Sequence, residues 1–330
     1  MLRLKWLWLP CLILMITGCT SCGGGQGQGD PVVVPVFDPV QAFADLTTQC
    51  AFGPRNPGSQ GHADCLEWLA GQLAGADRLI RQDFSAATVF GGPYDFTNLI
   101  ALYGQGQPGV PFLLCAHWDT RPVADEDPDP ANRATPILGA NDGASGVAVL
   151  LEIARALAAS APPRPVIIVL LDAEDSGRAS SGLPYLGFCL GSKYLAEHWP
   201  ADLAKPAEGV LLDLVGGDEL ANPRLQPPLH GANSVLDFPR ELNSLDANRA
   251  LVERVWQVAT RRGHTAFKNT DGRAITDDHL PLIEGGIRVI DIIDFPPEEW
   301  HTVDDTPAHC SPDALNQSGD TLLHVIYGDG

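Results

Sequence analysis

Five short apolar runs punctuate the chain, at residues 96–102, 112–116, 166–171, 210–214 and 288–293. Each is Leu-rich or β-branched without polar alternation, the pattern of a strand covered on both faces. Amphipathic stretches of helical period lie between them. Residues 144–159 place Val147, Leu150, Leu151, Ala154 and Leu157 on one stripe. A second helix is predicted to start at an Asp246 cap and run to Arg262, with Leu251, Val255 and Val258 inward and Gly263 just past its end. Strands alternating with helices predict an α/β fold: a single domain with a central, mostly parallel, twisted sheet flanked by helices. From Pro35 onward no repeat, linker or composition break divides the chain, so residues 37–330 read as one domain.

Ligands of such folds sit at the carboxyl ends of the strands, and the polar residues of this chain fall there. Run 112–116 leads into His117-Trp118-Asp119, and run 166–171 into Asp172-Ala173-Glu174-Asp175. Asp213 ends the fourth run, Trp300-His301 follow the last strand, and Asp142 opens the helix after Gly139-Ala140-Asn141. Taken singly, Asp142 reads equally well as a helix cap, Asp213 as a solvated strand end and His301 as a surface histidine. Taken together, the strand ends converge two imidazoles and several carboxylates on one cleft, an N/O set suited to zinc at the carboxyl edge of the sheet.

The chain has 330 residues, 45% hydrophobic and 19% charged, which excludes disorder and leaves ample length for a buried core. Its 41 acidic against 21 basic side chains give a formal charge of −20, which excludes a nucleic-acid or anionic-membrane binding surface because like charge repels phosphate. The acidic residues outside the cleft, including the loop from Asp125 to Asp129, read as solvated surface.

The first residues read as a processing signal rather than as part of the fold. Arg3 and Lys5 precede an apolar run, residues 6–16, too short for a stable membrane span. Ile16-Thr17-Gly18-Cys19 resembles the lipobox of bacterial lipoproteins, which implies a signal peptide at 1–18, lipidation of Cys19 and a flexible Gly/Gln-rich tether at 19–36. An ordinary signal peptide with an incidental cysteine is the alternative. The lipoprotein reading predicts an exported protein on the periplasmic or outer face of a bacterial membrane, touching that membrane only through its lipid. Cys50, Cys65, Cys115, Cys189 and Cys310 remain in the domain without a CxxC pair, and both a Cys50–Cys65 bridge and buried free thiols fit an odd count of five.

The motifs His117-x-Asp119, Gly139 through Gly146, Asp172 through Asp175, Leu212-Asp213, Asp278-His279 and His301-Thr302 resemble, in order and spacing, the zinc aminopeptidases of the M28 type over residues 52–305. One branch of that superfamily is similar in more detail, the zinc-dependent glutaminyl cyclases, through Phe52-Gly53-Pro54-Arg55, the run from Asp127 to Asn132, Cys189-Leu190-Gly191-Ser192, Thr276-Asp277-Asp278-His279 and the run from Trp300 to Asp305.

The cyclase resemblance implies one zinc held by Asp142, Asp175 and His301, with Glu174 as general base and acid and with Asp277 and Asp213 sharing and relaying protons. In the aminopeptidases a second metal adds His117 and Asp213, with Asp142 bridging; this chain keeps every one of those ligand types. Asp175 departs from the commoner Glu. Asp277 stands where aminopeptidases usually carry a small polar residue. Trp300, Ile275 and Phe295 would wall the substrate pocket. The expected activity is conversion of N-terminal Gln of peptides or proteins to pyroglutamate by a monomeric enzyme. A two-zinc aminopeptidase and an inactive metal-binding lipoprotein are the alternatives.

Overall fold

Every residue of Val166–Leu171 is buried, and successive side chains enter two different apolar layers. Val166, Ile168 and Leu170 join one layer, while Ile167, Val169 and Leu171 join the other. Residues 112–116 alternate in the same way, which explains why these segments carry no polar period. The computed structural model describes residues 33–180, 183–218 and 236–328. The expected signal peptide, the lipidation site Cys19 and most of the expected tether lie outside them.

The strands are β1 (Arg78–Thr88), β2 (Gly91–Tyr103), β3 (Phe112–His117), β4 (Val166–Leu171), β5 (Arg178–Ser180), β6 (Leu183–Leu186), β7 (Glu208–Asp213), β8 (Phe238–Arg240), β9 (Phe267–Asp271) and β10 (Arg288–Ile293). The helices are α1 (Pro39–Ala51), α2 (Gln60–Gln72), α3 (Ala144–Ala159), α4 (Leu190–Glu197), α5 (Leu242–Arg262), α6 (His279–Glu284) and α7 (Pro312–Tyr327). Six strands form the main sheet in the order β1-β2-β4-β3-β7-β10. The four from β4 to β10 are parallel, and β2 and β1 add an antiparallel edge. Pairs β5–β6 and β8–β9 are separate ribbons.

Helices cover both faces, as two buried faces require. Leu46 of α1, Leu150 of α3, Val255 of α5 and Leu322 of α7 pack into one layer, and Leu195 of α4 and Leu282 of α6 into the other. Full burial of each such side chain contributes about 1.5–3 kcal/mol. α1 and α7 start on Asp38 and Ser311 caps followed by proline at the first helical position.

The predicted parallel sheet and helix 144–159 are present, with two differences elsewhere. α5 begins at Leu242, capped by Glu241, rather than at Asp246. It breaks at Asn248, whose φ of −154° is not helical and whose Oδ1 accepts the Leu251 amide at 3.3 Å, so a cap sits inside the element. The edge strand β1 has polar and half-exposed positions throughout, which is why no apolar run marks it. All five domain cysteines are buried free thiols, the second of the two arrangements the sequence left open. No helix among the described residues is long and apolar enough to cross a membrane.

Candidate metal centre

The parallel strands deliver their polar residues to one end of the sheet. His117 closes β3, Asp213 closes β7, Asp142 stands just before α3, Asp175 follows β4, and His301 lies in the turns after β10. Candidate ligand atoms of Asp142, Asp175 and His301 all lie within 4.8 Å of one another. His301 Nε2 is 3.4 Å from Asp175 Oδ1 and 3.6 Å from Asp142 Oδ2. Asp142 also faces the other way: its Oδ1 is 3.1 Å from His117 Nε2, which is 3.2 Å from Asp213 Oδ1. Two donor sets thus share Asp142.

The donors fit a divalent cation. Asp175 Oδ1 accepts Arg121 Nη1 at 2.9 Å, but its buried Oδ2 has no hydrogen-bond partner. An unsatisfied buried acceptor costs about 1–3 kcal/mol or more, a cost that a cation would remove. Burial and the neighbouring Asp175 push the Asp142 carboxyl up. Burial would pull His301 down, yet Asp175 and Asp125 raise it to about 9. In the absence of a cation, protons hold this cluster together; two imidazoles and three carboxylates around one point suit zinc-type N/O coordination.

Backbone amides fix the ligand segments. Asp119 accepts the amides of Glu174 at 3.0 Å and Asp175 at 3.1 Å, and Asp305 accepts those of Asn141 at 2.7 Å and Asp142 at 3.0 Å. Four non-glycine residues among those described have left-handed φ: Ala173, Cys189, Leu214 and His301. Ala173 precedes Glu174, Leu214 follows Asp213, Cys189 touches Glu174, and His301 is itself a candidate ligand, so backbone strain is concentrated at the cleft. Gly143 has φ +98°, and a Cβ there would lie 2.7 Å from Asp119 O and 3.1 Å from His117 Cε1. Only glycine lets α3 begin this close to the strand carrying His117.

A cavity of about 280 Å³ opens over these groups. Asp142, Glu174, Asp175, Asp213, Asp277 and His301 supply its polar wall; Ile275, Phe295 and Trp300 supply apolar wall. His117 is buried beside it. The structure therefore brings together every catalytic, metal and pocket residue expected from the sequence. Trp300 stacks on His301 with ring centroids 3.7 Å apart, and Phe295 meets Trp300 edge-on at 4.9 Å.

Glu174 and Asp277 approach each other in this cavity, with oxygen atoms inside a 4.8 Å group that includes the Cys189 sulfur. Cys189 Sγ donates to Glu174 Oε1 at 3.3 Å. Burial drives the Glu174 carboxyl well above the usual range; His117 opposes this, and Asp175 and Asp277 reinforce it. Asp277 is raised well above its ordinary value by burial and then by the charge of Asp213. Groups shifted this way hold and release protons nearer neutrality than ordinary carboxylates do.

Some acidic residues take structural posts instead. Asp172 turns from the cleft, accepts the Thr97 amide at 2.7 Å and faces His62 Nε2 at 3.0 Å. The loop from Asp125 to Asp129 is not simply solvated surface. Asp125 binds Arg121 through both oxygens at 2.6 Å and lies 3.5 Å from His301 Nδ1, and buried Asp127 accepts the Val303 amide at 3.1 Å. That loop pins the turn bearing His301. Arg121 was missed in the sequence because an arginine after a strand reads as a surface charge; its burial comes from Asp125 and Asp175, which are distant in pattern.

An open α/β sheet with adjoining N/O donor sets at its strand ends, and a buried carboxylate beside them, defines a metallopeptidase-type site. The sequence profile described as Peptidase family M28 matches residues 98–326, and the chain belongs to that family. It is similar to the crystal structure of Bacteroides thetaiotaomicron glutaminyl cyclase bound to N-acetylhistamine, at 35% identity over 90% of this chain and 100% of that one, with a TM-score of 0.81. It is similar in the same degree to a structure described as a leucine aminopeptidase precursor from the same organism, at 36% identity over 91% of this chain and 100% of that one, TM-score 0.81. Among curated proteins it resembles the glutaminyl-peptide cyclotransferase-like protein of Bos taurus, at 27% identity over 79% of this chain and 68% of the relative.

Proposed function

We propose that this chain is a zinc-dependent glutaminyl-peptide cyclotransferase, which converts N-terminal Gln of peptides or proteins to pyroglutamate with release of ammonia. The observation that carries the reading is the approach of Glu174 and Asp277 in a small cavity also lined by Asp142, Asp175 and His301. The glutaminyl cyclases among its structural relatives support it.

Asp142, Asp175 and His301 would hold the zinc, and when bound there it supplies Lewis-acid polarisation of the substrate's γ-carbonyl. The chain's own residues do the rest. Asp277, with Asp213 behind it, offers an anionic seat for the cationic α-amine. Once the α-ammonium has given one proton to solvent, its nitrogen lone pair attacks the γ-carbon of the same residue, and Glu174 takes a second proton from that nitrogen at its carboxylate as the bond forms. Intramolecular attack carries a large entropic advantage. Glu174 then returns the proton to the departing nitrogen, and ammonia leaves. Trp300 and Phe295 exclude water, which would otherwise hydrolyse the same carbonyl.

One zinc is the expected loading. The charge of Asp213 raises Asp277, and a proton shared by the two would make Asp213 a poorer ligand for a second cation; His117 and Asp213, 3.2 Å apart, retain the means to hold one. The protein is proposed to act as a monomer, exported and lipid-anchored through Cys19, with no contact to nucleic acid. Incubating the purified domain with a Gln-initiated peptide tests the activity: release of ammonia and a blocked peptide amine is expected, and an unchanged peptide in the presence of bound zinc would contradict it. The M28 aminopeptidase reading is the alternative, since the shared Asp142 would also serve a two-metal site.

A further inference from the structure

A second hollow of about 230 Å³ adjoins the catalytic cavity, and the two share Arg273, Ile275, Ile293 and Phe295 as their common wall. Arg273 is the only Lys or Arg among the described residues lining either. Its Nη2 donates to the Phe295 carbonyl at 3.2 Å, and its guanidinium carbon lies 5.6 Å from the Phe295 ring centroid. Phe295 in turn packs on Trp300, and Trp300 on His301, so the cation is held at the rim at the end of a chain of contacts that starts on a metal ligand. One donor of the guanidinium is engaged on the Phe295 carbonyl, and the residue is exposed where it lines both hollows.

Arg273 stands in a cavity also lined by Asp142, Glu174, Asp175, Asp213 and Asp277, and two further acids beside the second hollow are engaged elsewhere. Asp271 is committed to Arg240 at 2.7 Å. Glu241, in the floor of the second hollow, is 1% exposed and accepts the amides of Asn243, Ser244 and Ile275. Residues 273 to 277 are one continuous segment from Arg273 to the acid that seats the α-amine, and an extended peptide advances about 3.3 Å per residue. A substrate whose first residue fills the catalytic cavity therefore passes Arg273 with its second or third residue.

We propose that Arg273 is a specificity-determining residue and that the second hollow receives the residues after the N-terminal Gln, favouring an acidic side chain at the second or third position. The inference rests on the cyclase reading.

The test uses full-length metal-loaded enzyme and matched peptides carrying Glu, Ala or Lys at position two, and again at position three. Ammonia release is followed for the native enzyme, R273A and R273E. In one of the two series, R273A should raise KM for the Glu peptide about threefold to fivefold relative to the Ala and Lys peptides, over and above any common change in kcat from the lost Phe295 contact. R273E should shift the preference toward the Lys peptide, and added salt should shrink both effects. An equal change on all three peptides, or no change on any, would overturn the assignment. Turnover of no Gln peptide by the native enzyme would instead overturn the cyclase reading on which it stands.

Discussion

Arg121 donates Nη1 to Asp175 at 2.9 Å while both oxygens of Asp125 accept its remaining fork at 2.6 Å. The guanidinium is buried and holds Oδ1 of Asp175, the oxygen 3.4 Å from His301 Nε2, while the buried Oδ2 has no hydrogen-bond partner. This shorter carboxylate, in place of the family's commoner Glu, is thus set by a neighbour that fixes its orientation. Replacing Arg121 by Gln should lower zinc affinity about 10–100-fold, the range for outer partners of metal ligands. It should also destabilise the fold, because buried Asp175 loses its counter-charge and half-exposed Asp125 its partner. Chelator titration followed by zinc content checks the first, and denaturant unfolding the second.

Glu174 donates no ligand atom to the Asp142, Asp175 and His301 set. Glu174→Gln should therefore reduce kcat about 10²–10⁴-fold while the protein retains its zinc. Metal analysis of the purified variant decides the point: loss of zinc would mean that Glu174 and Asp175 have exchanged roles.

Protons and metal compete for the same cluster. Buried Asp278 and Asp305 are raised to about 7, and His301 to about 9. Groups whose folded pKa lies above the unfolded value favour the fold at low pH and lose that contribution as pH rises through the interval. For the two acids the interval runs from 3.8 to about 7, and for His301 from 6.5 to about 9. Metal-free protein should therefore lose Tm as pH rises across both windows. A bound cation replaces the His301 proton, whereas Asp278 and Asp305 lie outside both donor sets, so the Tm difference between zinc-loaded and chelated protein should widen as pH rises from 6.5 toward about 9. Paired thermal melts measure it, and a constant difference would refute the linkage.

Gly143→Ala should be costly although the change is one methyl group. The new Cβ would meet Asp119 O at 2.7 Å and His117 Cε1 at 3.1 Å, in a backbone with φ +98°. A loss of about 1–3 kcal/mol is expected, with the start of α3 and Asp142 displaced. Equilibrium unfolding and zinc affinity should fall together.

Much of this molecule was legible in its residues because buried parallel strands leave an unmistakable apolar signature and deliver their next residues to one edge. His117, Asp142, Asp175, Asp213 and His301 could be placed that way before any coordinate. The supporting layer could not. Arg121, Asp125 and Asp127 read as ordinary loop charges until the fold buries Arg121 and Asp127 and sets Asp125 against the His301 turn. Asn248 breaks α5 from within a stretch of helical composition, and its capping bond depends on a backbone angle that no apolar period encodes. Arg273 carried no motif; its place is fixed by Phe295, far along the chain.

The most direct test of the central claim is a paired assay on one zinc-loaded preparation, with a Gln-initiated peptide in one arm and leucine anilide in the other. Ammonia and an intact, amine-blocked peptide from the first arm, with no arylamine from the second, is the predicted result. Free arylamine from the leucine substrate with no ammonia from the Gln peptide would contradict it and make the shared Asp142 the centre of a peptidase.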